Sequence, residues 1–154
     1  MNRIACVGRL VDLLTGSQSG AFLSSQPGGV VGVAPAYPGQ FAKAEQIVVS
    51  VGQGEVSVAP FAGVPITVDD EFDIEVAVLA ALPGQSAVEA GQRCEQIVSA
   101  VLLEVQADAA LDDFEDVIAA VPSAIDGPKV NADDKGHWAS ATVTIRVHSR
   151  YGGS

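Results

Sequence analysis

The stretch EFDIEVAVLAALPGQSAVEAGQRCEQIVSAVLLEVQAD, residues 71–108, reads as a strand, a turn and a helix, and it decides the fold. Phe72, Ile74, Val76 and Val78 alternate with Asp73, Glu75, Ala77 and Leu79, the period-two pattern of a strand with one buried face. Leu82-Pro83-Gly84-Gln85 breaks that strand. Ser86 and Glu89 then have the S-x-x-E spacing of a capping box, in which each side chain serves a backbone N–H at the helix start. Beyond it Val88, Gly91, Cys94, Ile97, Val98, Val101, Leu102 and Val105 fall on one helical stripe, and Glu89, Gln92, Glu95, Gln96, Ser99 and Gln106 take the other faces. Strand and helix each extend roughly 33 Å, so the helix is able to cover the strand from end to end.

Outward from this unit the pattern continues. Ile4, Val7, Leu10, Val11 and Leu14 predict an amphipathic helix over residues 3–14, with Arg3, Arg9 and Asp12 off its stripe. Residues 15–29 are rich in Gly, Ser and Gln, and residues 15–46 as a whole are expected to form a flexible loop around a short strand at 30–33. Ile47, Val48, Val49 and Val51 predict a strand over 46–51 that Gly52-Gln53-Gly54 turns. Residues 55–70, interrupted by Pro60, Gly63 and Pro65, are expected to be a second flexible segment, a projecting hairpin arm. After the long helix come an acidic, irregular stretch at 111–116 and a strand-like run at 117–125 that contains Pro122. A turn follows at 131–136. In the last strand Ala139, Ala141, Val143, Ile145 and Val147 share one face, and Ser140, Thr142, Thr144, Arg146 and His148 the other. The fold class is α+β: a mainly antiparallel sheet, two helices packed on one face and long loops opposite, in a single domain.

Composition narrows the function. Eight basic against nineteen acidic residues give a net charge of −11, which repels nucleic-acid phosphates and anionic membranes. No run of about eighteen apolar residues is present, so a soluble, unexported chain is expected. Cys6 and Cys94, each on an apolar helical stripe, read as two buried thiols. His137 beside Asp133 and Asp134 lacks the converging ligands of a metal site, and Asp112, Asp113, Glu115 and Asp116 lack the spacing and glycine of a calcium loop. Gly52-Gln53-Gly54 lacks the third glycine of a dinucleotide fingerprint, and no nucleophile elbow surrounds a serine. No catalytic, cofactor or metal residue is assigned. Asp73 and Glu75 share a strand face, about 7 Å apart by strand geometry, and read as a solvated or subunit-facing side.

The order of these pieces resembles the tail terminator and tail-completion proteins of long-tailed, siphovirus-type bacteriophages. The resemblance is carried by the amphipathic N-terminal helix, the strand IVVSVG (47–52) and the strand EFDIEVAVLAAL (71–82). It continues through the long helix SAVEAGQRCEQIVSAVLLEVQADAAL (86–111) and the closing strand ASATVTIRVHSRY (139–151). It departs at Leu111-Asp112-Asp113, where such proteins often carry a Leu-Gly turn. The resemblance implies a non-enzymatic virion protein, assembled in the bacterial cytoplasm and located at the head–tail junction. There it forms a six-membered ring that caps the tail tube, ends polymerisation and joins the tail to a neck or head-completion protein. DNA passes through the lumen without sequence-specific binding, and no membrane is involved. Polar residues of the two best strands, Asp73, Glu75, Thr142, Thr144, Arg146 and His148, are the expected subunit interface. A different head–tail connector is the nearest alternative, and a small ligand-binding domain a more distant one.

Overall fold

The computed structural model describes residues 3–16, 32–35, 45–58, 67–81, 86–107, 117–133 and 136–152. In chain order they form α1 (Arg3–Gly16), β1 (Gly32–Pro35), β2 (Glu45–Val58), β3 (Thr67–Ala80), α2 (Ala87–Ala107), β4 (Val117–Asp133) and β5 (Gly136–Gly152). The strands make one five-stranded sheet in the order β1-β2-β3-β5-β4. Only the β1–β2 pairing is parallel, and the other three are antiparallel. The α+β class and the mainly antiparallel sheet are as the sequence predicts.

The alternation of β3 and β5 sorts the two faces of the sheet. Phe72, Ile74, Val76, Val78 and Ala80 are buried, and so are their partners Val147, Ile145, Val143, Ala141 and Ala139. Both helices lie on this face. Cys6, Val7, Leu10 and Leu14 of α1 and Ala90, Cys94, Ile97, Val98, Val101 and Val105 of α2 join the same apolar cluster. α1 packs against β1 and β2, and α2 against β3, β5 and β4. At the start of α2 the capping box forms in both directions. The Glu89 backbone N–H donates to Ser86 Oγ at 3.2 Å, and the Ser86 N–H donates to Glu89 Oε2 at 3.4 Å.

Several boundaries differ from the sequence expectation. Gly52-Gln53-Gly54 is a β-bulge rather than a turn. Val51 pairs with Ile74 and Gly54 with Phe72, so two residues of β2 oppose Asp73 alone. The strand therefore runs on to Val58, and residues 55–58 and 67–70, expected in a flexible arm, extend the β2–β3 hairpin instead. Residues 59–66 lie outside the described set. Within the 15–46 segment, Thr15 and Gly16 complete α1 and β1 pairs with residues 46–49, while residues 17–31, 36–44 and the acidic stretch 111–116 lie outside the described residues. β4 passes through Pro122 and on to Asp133, and three register shifts absorb the residues that the ladder cannot pair. Gly127 sits in the last of these at φ +103°, a conformation that side-chain-bearing residues rarely adopt. Ile4 and Val88 were placed on apolar stripes, yet both are exposed; Ala90 takes the position that Val88 was expected to fill.

One polar pair is drawn into the helix face. Asp70 is fully buried and accepts two hydrogen bonds from Arg3, from Nε at 3.1 Å and from Nη2 at 2.6 Å. The guanidinium also stands over the Phe72 ring, 5.2 Å from its centroid. Gly54 makes room for it, because a Cβ there would come within 2.8 Å of Arg3 Nη2 and 2.6 Å of Phe72 Cβ.

Three substitutions test this packing. Ile145→Asp puts an unpaired charge into the core and should cost several kcal/mol in urea unfolding, about 3 or more. Thr144→Asp, on the opposite face, should cost about 1 kcal/mol or less, mainly by repelling Glu75 across the strand pair. Arg3→Ala should cost about 2–3 kcal/mol because it strands the buried Asp70 carboxylate, a figure reduced from the fully buried case by the partial exposure of Arg3.

Candidate functional site

The sheet face turned away from the helices carries the remaining chemistry. On β3 the acids Asp69, Glu71, Asp73 and Glu75 recur every second residue. On β5 Arg146, His148 and Arg150 do the same. Antiparallel register sets Asp69 opposite Arg150, Glu71 opposite His148, Asp73 opposite Arg146, Glu75 opposite Thr144 and Ala77 opposite Thr142. All six residues expected at a subunit interface therefore share one contiguous face.

Cross-strand geometry turns the facing charges into a ladder of ion pairs. Arg146 Nη1 donates to Asp73 Oδ1 at 3.1 Å, and Nη2 reaches Glu71 Oε2 at 3.3 Å. Arg150 forms a fork on Asp69, with Nε to Oδ1 at 2.7 Å and Nη2 to Oδ2 at 3.4 Å. His148 Nε2 lies 3.5 Å from the same Asp69 oxygen. The Arg150 hydrogen bond holds the Asp69 carboxyl below the usual carboxylate range, with His148 adding to it, and both arginines are held above theirs by the carboxylates they grip. Asp73 and Arg146 thus satisfy each other within one subunit.

Sequence reasoning named Asp73, Glu75, Arg146 and His148 but missed Asp69, Glu71 and Arg150. The signal was present, since the period-two run of acids extends below Asp73 and that of bases beyond His148. Only the β3–β5 register shows which charges meet. The Arg3–Asp70 pair was also missed, because Asp70 looks like one more member of an acidic run.

Nothing in this arrangement pairs a nucleophile with a base. Among the described residues no three His, Cys, Asp or Glu side chains converge to hold a metal ion. His137 stands on β5 opposite Ala132. Cys94 is buried, and loss of solvation together with the neighbouring Glu95 charge pushes its thiol up to about 11. A thiol of that kind is almost entirely protonated at neutral pH and a poor nucleophile. No helix among the described residues is long and apolar enough to cross a membrane. No protein-family model matches the chain, and no curated protein is similar enough to count as a relative.

The Asp69 pair gives a pH-dependent outcome with a definite sign. A lowered carboxyl contributes stability that is present above its unfolded pKa, about 3.9, and is lost as pH falls through the lower folded value. Arg150→Ala should raise the Asp69 titration toward about 3.9 in a carboxyl NMR experiment and remove that part of the acid limb. An unchanged Asp69 midpoint would mean that the pair does not persist in solution.

Proposed function

We propose that this protein is a structural component of a bacteriophage tail: a ring-forming tail terminator that works by surface complementarity and carries out no reaction. The observation that carries the reading is the order and packing of the elements. An N-terminal helix, a β2–β3 hairpin, a long helix laid over the same sheet face and a closing strand follow one another in the order on which the resemblance rests. The polar face supports it too. Its Arg146–Asp73, Arg146–Glu71 and Arg150–Asp69 pairs tie β5 to β3 and suit a scaffold.

In this role the ring caps the last tube ring, ends tube growth and presents its other side to a neck or head-completion protein at the head–tail junction. A closed ring needs heterologous contacts, in which one patch of a subunit meets a different patch of the next. The acidic surplus suits a lumen through which DNA slides, since repulsion keeps phosphates from adhering.

Deleting the gene tests the assignment directly. Electron micrographs of lysates should show tails of uncontrolled length and full heads that have not joined them. Tails of normal length that still fail to join heads would replace the terminator with another connector at the neck. Normal, joined tails would remove the connector reading altogether.

A further inference from the structure

The open edge of β4 differs from the rest of the surface. Ile118, Val121, Ile125 and Val130 of β4 are 50%, 53%, 51% and 42% exposed, most of the exposed large apolar side chains among the described residues. Val121 stands opposite Arg146 on the charged face, and Ile125 and Val130 stand opposite Val143 and Ala139 on the helix face, so they flank the edge from both sides. β4 is the last strand of the sheet, so among the described residues its outer backbone edge has no strand beside it. Edge strands usually defend themselves with charge, most often lysine. Residues 117–125 contain no charged residue at all, and Asp126 and Lys129 farther along pair with each other at 3.3 Å.

The opposite edge of the sheet shares this property. β1 is uncharged, and so are residues 46–54 of β2 beside it. Most of the charges of the described sheet lie on β3 and β5, where Asp73 pairs with Arg146 and Asp69 with Arg150. Two copies of a chain with net charge −11 repel at long range, so they approach most easily where each is bare. Among the described strands, the uncharged β1 and the uncharged part of β4 are the two outer ones.

Strand direction selects the partner. Because β1 is parallel to β2 and every other pairing is antiparallel, β1 and β4 run in opposite directions. Copies related by rotation about an axis along the strands would therefore bring β4 of one against β1 of the next as an antiparallel pair, the stronger ladder. The lengths agree as well. Between its first two register shifts β4 has a regular stretch at residues 119–122, and β1 has four residues. The shifts on either side, with Pro122 closing the stretch, confine pairing to that window and discourage indefinite edge-to-edge growth.

We infer that residues 119–122 of β4 receive β1 of a second copy of this chain, so that head-to-tail edge pairing joins the subunits. This rests on the ring-forming reading and deepens it by moving the subunit contact from the charged face to the sheet edges.

Light scattering and negative-stain microscopy on the purified full chain decide the matter. Wild type should form a multi-subunit ring, and Ile118→Lys/Val121→Lys should reduce it to monomer with its thermal unfolding little changed, because both side chains are already half exposed. Glu75→Lys, on the charged face, should leave the ring intact. Assembly that survives the edge lysines, or that Glu75→Lys alone dissolves, would overturn the edge contact, as would a wild type that stays monomeric. A two-subunit species dissolved by the same lysines would indicate β4–β4 pairing about a two-fold axis and overturn the head-to-tail arrangement. These outcomes are separate from the deletion phenotype, which tests the tail role whatever holds the copies together.

Discussion

Everything in this molecule hangs on the unbroken register between β3 and β5, from Thr67 against Gly152 to Ala80 against Ala139. Side chains alternate across a strand, so a slip of one residue would carry the whole apolar set of one strand to the polar face. It would also set Arg146 against Phe72 or Ile74 instead of Asp73. Core formation and charge pairing thus select the same alignment from opposite sides of the sheet. β2 and β4 attach to this pair and absorb their mismatches in bulges, which the central two strands do not contain.

The Arg3–Asp70 bridge carries a charged pair into the core, where Ser149 and Arg93 are buried as well. A buried carboxylate costs several kcal/mol unless it is paired and hydrogen-bonded, so Asp70 is tolerable only when α1 supplies the guanidinium. The carboxylate therefore works as a registration device: it fixes which turn of α1 sits over the distal half of the β2–β3 hairpin. Gly54 and the bulge before it belong to the same device, since any side chain at that position would occupy the space the guanidinium fills. A leucine pair could offer comparable burial without naming a position along the strand.

Much of this was legible in the sequence where periodicity was strong. β3, the capping box, α2 and β5 all follow from alternation and helical spacing, because their two faces differ sharply in polarity. What failed was local punctuation. Gly52-Gln53-Gly54 has turn composition, yet the flanking strands continue in one ladder, and the ladder hydrogen bonds outweigh a local preference for turning. Pro122, inside the strand-like run predicted at 117–125, is accommodated because β4 is the outermost described strand on its side of the sheet. The charged face was half legible. Its members announce themselves by spacing, whereas their pairing depends on a register that one strand cannot reveal about another.

The distribution of charge over the sheet then bears on function. A solitary soluble domain gains most by placing charge on its edges, where it blocks association, and has no need to neutralise its central strands so thoroughly. Here the order is reversed: β3 and β5 carry interlocked ion pairs, while residues 117–125 and 46–54 are bare. Ion pairs between exposed side chains contribute little stability each, so their value lies in consuming charge that would otherwise repel a neighbouring copy. An uncharged strand edge is a liability for a monomer and an asset for an assembly whose geometry closes. That reversal favours a protein whose working form is an assembly of its own copies over one that meets a substrate alone.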